Sequence, residues 1–327
     1  TPMRVGCFCA AVLFSLGAGL QGAALAAEGD VTIGALRVAP RNTATVVKIH
    51  DNNLVLNPGT AAFDVYVTHN GLQRTFTVIR PEPAPAAAPM LLMLHGRAGT
   101  AEGQANLGYL PKSVVEKRYW AVLPQYHNGS WEDDPGVNRG IDDIGLMRRI
   151  IDIMQSRYGI DTSRVYASGF SNGGFMAQRM ACELSDRIAA VALVGTSITR
   201  GVYNSCAPVT PRPLMFVDGS ADPIVPWAGS STLLSVETAV SMWSARLACG
   251  LNPSTTALPN TANDGTTIDL RRYTGCSRGE LRLYRVNEGG HTWPGGLQYL
   301  PATTVGKTSA DLSATSEIWN FVSAYRR

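Results

Sequence analysis

Short apolar runs alternate with amphipathic runs along most of this chain. Segments such as MLLMLHG (90–96) and IAAVALVG (188–195) have the length and continuous hydrophobicity of strands that are covered on both faces. Segment 140–159 instead repeats its apolar residues at the three- and four-residue spacing of one helix face. Strands that alternate with helices in this way predict an α/β fold, with a mostly parallel central sheet and helices on both faces.

Segment 63–81 follows a different pattern, in which polar and apolar residues alternate. Its two runs flank Asn70-Gly71, a dipeptide typical of tight hairpins, so it predicts an antiparallel N-terminal edge of the sheet. Residues 28–62 alternate only weakly and could form either extra strands or a loosely docked arm, and we treat them as an N-terminal extension. Residues 63–327 show no repeat or domain break, which predicts a single domain.

The N-terminus has the pattern of a cleavable secretory signal. Arg4 precedes a short apolar stretch broken by two glycines, and small residues follow it. The stretch is short for a bilayer, so a retained membrane anchor is the less favoured alternative. We therefore expect residues 1–27 to be removed by cleavage after Ala26 or Ala27, which would make the protein extracellular or periplasmic.

Secretion changes the interpretation of the cysteines, because disulfides persist in an oxidising compartment. Four cysteines remain after the signal, and they allow three pairings. We expect Cys182–Cys206 and Cys249–Cys276, because each bond closes the shorter loop between neighbouring elements. Zinc is the competing interpretation, but these cysteines lack paired C-x-x-C spacing, so we expect no metal.

Composition narrows the range of partners. The chain has 327 residues, of which 45% are hydrophobic and 16% are charged, as is usual for a globular enzyme or binding domain. The net charge is only +3, and no basic run exceeds a pair, so we expect no nucleic-acid partner. Beyond the N-terminus, no segment is long and apolar enough to predict stable membrane insertion.

Ser171 lies in G-x-S-x-G between Gly169 and Gly173. The motif follows the strand-like RVYAS and precedes the helical NGGFMAQRMA, and a serine at such a turn is typical of a nucleophile elbow. The new helix would also direct its free N–H groups and its positive dipole end toward an oxyanion. A glycine-rich turn is the simpler interpretation of the motif alone, but in this context we predict that Ser171 is a nucleophile.

A serine nucleophile needs a base and an acid, which in this architecture follow it in the order acid, then histidine. His291, in NEGGHTWPGG, is the only histidine that follows the candidate acids. Asp218 and Asp222 both follow a strand, but Asp218 is close enough to the strand to cap the turn at Gly219. We therefore predict Asp222 as the acid and His291 as the base.

The oxyanion hole and the substrate contacts are assigned from the surrounding loops. We expect the backbone N–H groups of Arg97, in LHGRAGT, and of Asn172 to bind the oxyanion, with the Asn172 side chain less important. His95 is expected to hold its loop by hydrogen bonds and is also counted as a substrate contact. Trp227 and Trp293 flank the acid and the histidine, where they could form an aromatic rim for a phenolic acid or a polyester.

The acidic segment 128–136 contains a further tryptophan, Trp131. This residue could belong to the same aromatic rim, but ordinary packing within a loop explains it equally well. The segment itself could be the lip of a pocket, but its acidic side chains favour a solvated loop. We therefore expect segment 128–136 to be a solvated surface loop and assign it no substrate contact.

Five segments together carry a family resemblance: LLMLHGRAGT, GIDDIGLMRRII, DTSRVYASGFSNGGFMAQRMACE, DGSADPIVPW and NEGGHTWPG. With them the chain resembles, from about Phe63 to its C-terminus, the α/β-hydrolase esterases that include polyhydroxybutyrate depolymerases and feruloyl esterases. The resemblance implies the α/β-hydrolase fold, the triad of Ser171, Asp222 and His291, and the same two disulfides. Two positions depart from the family pattern. Asp218 replaces a common histidine, and Arg97 replaces a cysteine or glycine.

The resemblance implies a secreted serine carboxylic-ester hydrolase that acts on polyester or hydroxycinnamoyl esters. The substrate would then be an ester that is polymeric or derived from the plant cell wall, and the reaction would use no metal or organic cofactor. The alternative is an inactive hydrolase scaffold that binds polysaccharide or polyester. The intact order of Ser171, Asp222 and His291 argues against this alternative, because a binding module would not need all three residues.

Overall fold

The apolar runs form strands and the amphipathic runs form helices in a computed structural model, which describes residues 30–327. The signal peptide expected over residues 1–27 lies outside the described residues. The strands are β1 (Val31–Ile33), β2 (Arg37–Val38), β3 (Thr45–Ile49), β4 (Asn52–Leu56), β5 (Thr60–His69), β6 (Leu72–Pro81), β7 (Met90–Leu94), β8 (Trp120–Pro124), β9 (Val165–Phe170), β10 (Ala190–Val194), β11 (Ile198–Thr199), β12 (Leu214–Gly219), β13 (Leu233–Leu234), β14 (Ser254–Ala257), β15 (Thr267–Cys276) and β16 (Gly279–Asn287). The helices are α1 (Ala101–Leu107), α2 (Leu110–Lys117), α3 (Asp143–Tyr158), α4 (Asn172–Glu183), α5 (Arg200–Ser205), α6 (Val236–Arg246), α7 (Ala302–Val305) and α8 (Ala314–Val322).

The central sheet is parallel in its middle and antiparallel at both edges. Strands β8, β7, β9, β10, β12 and β16 lie side by side in that order and are parallel. Strands β6, β5 and β1 continue the sheet on one side in antiparallel pairs, which confirms the predicted N-terminal edge. Strands β15 and β14 form a second antiparallel edge that was not predicted. Only two residues separate β15 from β16, and such a short connection can join only antiparallel strands.

Helices cover both faces of this sheet, as predicted. Helices α3, α4 and α6 contribute residues such as Met154, Met180 and Val240 to a buried cluster on one face. Helices α1, α2 and α8 contribute residues such as Val114 and Ile318 to the cluster on the other face. The carboxyl ends of the parallel strands therefore meet at one edge, between two layers of packed side chains.

The N-terminal extension is made of strands. Strands β1 and β2 pair with β5, and β3 and β4 form a separate hairpin. This hairpin contacts α1, because Val55 N–H donates to Asn106 Oδ1 at 2.9 Å and Asn106 Nδ2 donates to the Asn53 carbonyl at 2.8 Å. The boundary expected between residues 62 and 63 falls inside β5, and residues 31–327 form one compact unit.

Both expected disulfides are present, Cys182–Cys206 and Cys249–Cys276. The first ties the last turn of α4 to the end of α5, and the second ties the end of α6 to the end of β15. Within residues 30–327, no helix is long and apolar enough to cross a membrane. In that same part of the chain, no group of three or more His, Cys, Asp and Glu side chains is placed to hold a metal ion.

Candidate active site

Ser171 lies at the sharp turn between β9 and α4. Its backbone has φ 54° and ψ −123°, a conformation that strains any residue with a Cβ atom. The Ser171 N–H donates to the Val194 carbonyl at 2.9 Å, and its carbonyl accepts from Phe175 N–H at 2.9 Å. The side chain caps no helical N–H group, so Oγ is left for chemistry.

Two glycines allow this turn because other backbone atoms occupy the space of their missing Cβ atoms. A Cβ on Gly169 would lie 2.3 Å from the Gly173 carbonyl oxygen, and one on Gly173 would lie 2.3 Å from the Leu94 carbonyl oxygen. Either contact is far shorter than van der Waals packing permits. The G-x-S-x-G motif therefore brings the end of β9, the start of α4 and the end of β7 into direct contact.

Asp222 and His291 form a buried hydrogen-bonded pair. His291 Nδ1 donates to Asp222 Oδ2 at 2.7 Å, and the histidine and the aspartate are 4% and 6% exposed. The other carboxylate oxygen, Oδ1, accepts from the N–H groups of Ile224 and Val225, both at 2.7 Å. Since an ionised carboxylate only accepts hydrogen bonds, Nδ1 carries the ring proton and Nε2 presents its lone pair. This is the arrangement of a histidine prepared to act as a base.

The loops that carry this pair run directly against each other. A Cβ on Gly219 would lie 2.3 Å from the Gly289 carbonyl oxygen, and Ala221 N–H donates to that same carbonyl at 2.9 Å. His291 N–H in turn donates to the Val305 carbonyl at 2.6 Å. Backbone hydrogen bonds and close packing thus fix Asp222 relative to His291.

The His291 ring lies over the elements that hold the serine. It stacks on Phe170, the residue before Ser171, with ring centroids 4.8 Å apart. Its Cε1 atom also lies 3.2 Å from where a Cβ on Gly195 would be. Gly195 follows Val194, whose carbonyl accepts the hydrogen bond from Ser171 N–H. Within residues 30–327, Ser171 Oγ and His291 Nε2 make no hydrogen bond with each other or with another group. Such contacts are often loose without substrate and tighten when it binds.

Asp218, the rejected candidate for the acid, has a different environment. It is 3% exposed, and its Oδ1 accepts from the Thr196 N–H at 2.6 Å. Burial raises the pKa of Asp218 well above its usual range, and the negative charge of Asp222 adds to this effect. Asp218 therefore favours its neutral acid form more than an exposed aspartate does, and Asp222 is the carboxyl group that faces His291.

The peptide that carries the Arg97 N–H is fixed through its carbonyl. The Gly96 carbonyl accepts from His95 Nδ1 at 2.8 Å and from Gly99 N–H at 3.1 Å. Since the C=O and N–H of a trans peptide point in opposite directions, these bonds also fix the direction of the Arg97 N–H. A Cβ on Gly96 would lie 3.4 Å from Ser171 Cβ, so this peptide lies beside the serine.

The backbone N–H of Asn172 is the second donor that we expect in the oxyanion hole. It is the first residue of α4, where the N–H groups have no partner within the helix. In the part of the chain that the structure describes, neither Asn172 N–H nor Arg97 N–H donates a hydrogen bond. Two free donors therefore flank Ser171, one from each of two neighbouring elements.

His95 is buried, so it is not placed for the substrate contact that we expected. It is 1% exposed, because Tyr126 and Trp131 pack against its ring at centroid distances of 4.6 Å and 5.3 Å. Burial lowers the pKa of His95 to about 4, so the ring is neutral at neutral pH. Its hydrogen bond to the Gly96 carbonyl supports the other expectation, that it holds the loop.

The prediction that Trp293 belongs to an aromatic rim is wrong, because its side chain is only 1% exposed. Its indole N–H donates to Thr315 Oγ1 at 3.0 Å, and its ring packs edge-on against Phe170. Trp293 therefore packs from inside the core against the residue that precedes Ser171. Trp227 is partly exposed, with the Arg285 guanidinium 4.9 Å from its ring centroid, and its contact with substrate stays a prediction.

Segment 128–136 is not the solvated loop that its acidic composition suggested. Trp131, Glu132 and Asp133 are all buried, at 0%, 6% and 8% exposure. Trp131 N–H donates to Asn172 Oδ1 at 2.9 Å, so the Asn172 side chain has a specific partner after all. A tryptophan among acidic residues was the only sequence signal for this packing.

Tyr299 is a site residue that the sequence did not indicate. Its hydroxyl donates to the His291 carbonyl at 2.9 Å, and its ring meets Phe170 edge-on at 6.0 Å. Burial raises the pKa of Tyr299 to about 12, and the charge of Asp222 adds to this effect, so the hydroxyl stays protonated. Because the residue is still 39% exposed, its ring forms a wall beside Phe170 that a bound molecule can touch.

The chain is similar in sequence to several esterases. No protein-family model matches the chain. It is 30% identical over 303 residues to a protein of Nocardia uniformis subsp. tsuyamanensis named "Putative esterase NocK", covering 82% of this chain and 84% of that protein. It is also 30% identical over 137 residues to poly(3-hydroxyalkanoate) depolymerase C of Paucimonas lemoignei, and 25% identical over 221 residues to feruloyl esterase B of Piromyces equi. These alignments cover 40% and 63% of this chain but only 32% and 40% of the two enzymes.

A solved structure supports the fold. Acetyl xylan esterase from Aspergillus awamori superposes with a TM-score of 0.55 over 69% of this chain and 93% of that one. The sequence identity in this superposition is 16%, so the likeness concerns the fold alone.

Proposed function

Since this chain belongs to the α/β-hydrolase family of esterases that includes feruloyl esterases and polyhydroxyalkanoate depolymerases, we propose that it hydrolyses carboxylic esters through Ser171, His291 and Asp222. One observation carries the proposal. The 2.7 Å hydrogen bond from His291 Nδ1 to Asp222 Oδ2 leaves a basic Nε2 on a ring that stacks against the nucleophile turn.

The reaction follows from these positions. Ser171 Oγ attacks the ester carbonyl carbon while His291 Nε2 takes the hydroxyl proton, and Asp222 stabilises the resulting imidazolium. The N–H groups of Arg97 and Asn172 bind the oxyanion that forms. The C–O bond to the alcohol then breaks as His291 returns the proton to the leaving oxygen. Water, deprotonated by the same histidine, releases the acid from the acyl-enzyme.

Pre-steady-state kinetics and covalent labelling test this proposal. With p-nitrophenyl butyrate we expect a burst of nitrophenol that approaches one equivalent of enzyme, if deacylation is the slower step. A fluorophosphonate should modify Ser171, and mass spectrometry should find Ser168 of the same peptide unmodified, because Ser168 is fully buried. Absence of both turnover and labelling at Ser171 would favour an inactive scaffold that only binds its ligand.

For the substrate, we propose esters with an extended apolar part, either polyester or hydroxycinnamoyl esters. Four exposed apolar side chains follow the acid and the histidine closely in sequence, with exposures of 39% to 53%. Such surface suits a phenolic acid or an aliphatic polyester chain better than a small acetyl group. The four residues are Ile224, Leu297, Tyr299 and Leu300.

Replacing Tyr299 by alanine tests this assignment of substrate. We expect KM for methyl ferulate to rise about five-fold, because a stacked aromatic ring contributes about 1 kcal/mol beyond its buried area. The KM for p-nitrophenyl acetate should change much less, since its acyl group is too small to reach the ring. Rates on hydroxybutyrate trimers, measured with the same variant, would show whether a polyester uses this wall.

Two controls accompany the Tyr299 variant. Tyr299→Phe keeps the ring and removes only the hydroxyl that binds the His291 carbonyl, so its KM for methyl ferulate should stay near that of the wild type. Tyr203→Ala removes a tyrosine of similar exposure from α5 and should change neither substrate. Equal effects of Tyr299→Ala on both esters would contradict the proposed wall.

We also propose that the protein is exported to the extracellular space or the periplasm. The two disulfides support this location, because such bonds persist in oxidising compartments. N-terminal sequencing of protein recovered from outside the producing cells should give a first residue near Ala27 or Glu28. Recovery only from the cytoplasm, with free thiols, would contradict this location.

A further inference from the structure

Trp131 connects the two elements that supply the oxyanion donors. Its side chain is fully buried, and its indole N–H donates to the His95 carbonyl at 2.9 Å. Its backbone N–H donates to Asn172 Oδ1, also at 2.9 Å. One residue therefore binds the loop that follows β7 and the first residue of α4 at the same time.

Each of these contacts is adjacent to an oxyanion donor. The His95 carbonyl belongs to the peptide immediately before the one that carries the Arg97 N–H. Asn172 bears the other donor on its own backbone. The two elements also touch here, because a Cβ on Gly173 would lie 2.5 Å from the His95 carbonyl oxygen. A shift at either contact would change the distance between the two donors.

The loop that carries Trp131 is anchored independently in the core. Glu132 N–H donates to Asp143 Oδ2 at 2.8 Å, and Asp143 Oδ1 pairs with Arg74 at 2.6 Å. The Arg74 and Asp143 side chains are 2% and 0% exposed, and removing one partner of such a buried pair is costly. The loop therefore holds Trp131 in a fixed position.

We propose that Trp131 is a positioning residue that sets the separation of the Arg97 and Asn172 N–H groups in the oxyanion hole. The inference rests on the proposed function, since it concerns stabilisation of the oxyanion formed by Ser171. Donors must lie about 2.7–3.1 Å from the oxyanion, so a displacement of a few tenths of an ångström is enough to weaken them. Trp131 does not touch the substrate. Its loss should therefore weaken stabilisation of the transition state and leave substrate binding almost unchanged.

The central experiment compares Trp131→Phe with Trp243→Phe on p-nitrophenyl butyrate. Both tryptophans are fully buried, but Trp243 Nε1 has no hydrogen-bond partner in the described residues. The control thus has the same loss of volume without the loss of a hydrogen bond. We expect Trp131→Phe to lower kcat about 10- to 100-fold with KM changed less than about two-fold, because misplacement by about 1 Å costs up to about 100-fold. Trp243→Phe should keep the wild-type kcat.

A second measurement separates positioning from general loss of structure. A trifluoromethyl ketone forms a tetrahedral adduct with a serine nucleophile and therefore needs the oxyanion hole. Its inhibition constant should rise in Trp131→Phe by the factor by which kcat/KM falls, and stay unchanged in Trp243→Phe. Wild-type inhibition of Trp131→Phe would overturn the proposal, as would a kcat per folded molecule equal to that of the control.

A third variant covers the case in which Trp131→Phe does not fold. Incorporation of 3-benzothienylalanine at position 131 replaces the indole N–H by sulfur and keeps the shape of the ring. The expected result is the same fall in kcat, and full activity would overturn the proposal. If the wild type has no esterase activity and no label at Ser171, the proposed function fails as well. If the wild type is active and both tryptophan variants match it, only this inference fails.

Discussion

Replacing Ser171 by alanine is expected to lower kcat for p-nitrophenyl butyrate by about one million-fold, the size of effect found when a serine nucleophile is removed from its triad. The variant keeps Arg97 N–H and Asn172 N–H, so a residual rate of about 1,000-fold over the uncatalysed reaction should remain. Burst kinetics and fluorophosphonate labelling should both be lost. Steady-state rates at high enzyme concentration would measure the activity that is left.

Ser168→Ala is the matched control for this prediction. Ser168 lies in the same strand, three residues before Ser171, and its side chain is fully buried without a hydrogen-bond partner among residues 30–327. Its loss should leave kcat within about two-fold of the wild type, because it touches none of the reacting groups. A Ser171→Ala variant as active as Ser168→Ala would show that another group is the nucleophile.

The sharp turn at Ser171 could be predicted from the short-range sequence pattern. The glycines around Ser171 are required by contacts among backbone segments that the strand–turn–helix pattern already brings together. The pairing of Asp222 with His291 followed from chain order, and the structure places these two side chains 2.7 Å apart. Both features depend on backbone connectivity, which a sequence carries directly.

Side-chain burial in loops was not predictable in the same way. Trp131 and Trp293 lie between regular elements, yet their side chains are at most 1% exposed. Burial is possible because each indole N–H donates to an acceptor distant in sequence. Those partners, the His95 carbonyl and Thr315 Oγ1, lie 36 and 22 residues away in sequence. A sequence places a tryptophan in a loop but does not show which distant acceptor its indole meets.

The antiparallel pairs outside the parallel centre were only partly predicted. The Asn70-Gly71 turn has positive φ at both residues, as this dipeptide favours, and the hairpin around it was expected. Residues 31–62 gave a weak pattern because β1 and β2 are very short strands, of three and two residues. Such edge strands bury one face at most, and few residues contribute to their periodicity.

Asp222→Asn is expected to lower kcat about ten-thousand-fold. The carboxylate holds the proton on His291 Nδ1, whereas an amide nitrogen at the same place would donate to Nδ1 and leave the proton on Nε2. His291 could then no longer accept the proton of Ser171. Kinetics with p-nitrophenyl butyrate near pH 7 would measure the loss.

Asp218→Asn is the matched control, because it makes the same chemical change four residues earlier in the chain. Burial raises the pKa of Asp218 well above the usual range, so the fold favours the neutral form that an asparagine resembles. The amide can keep the acceptor for Thr196 N–H, so kcat should stay within about two-fold of the wild type. Equal losses in the two variants would contradict the assignment of Asp222 as the acid that orients His291.

The Asp218→Asn variant should also change how the free energy of unfolding depends on pH. Unfolded Asp218 titrates near its usual pKa of about 4, and the folded group titrates at a higher pH. Between these two values the folded state holds the proton that the unfolded state has lost, so the free energy of unfolding falls as pH rises. An amide at this position does not titrate, so the Asp218→Asn variant should lose less stability than the wild type as the pH rises above about 4 in urea unfolding. If the free energy of unfolding changed with pH equally in the variant and the wild type, Asp218 would be ionised in the fold. Its negative charge beside Asp222 would then need a compensating partner.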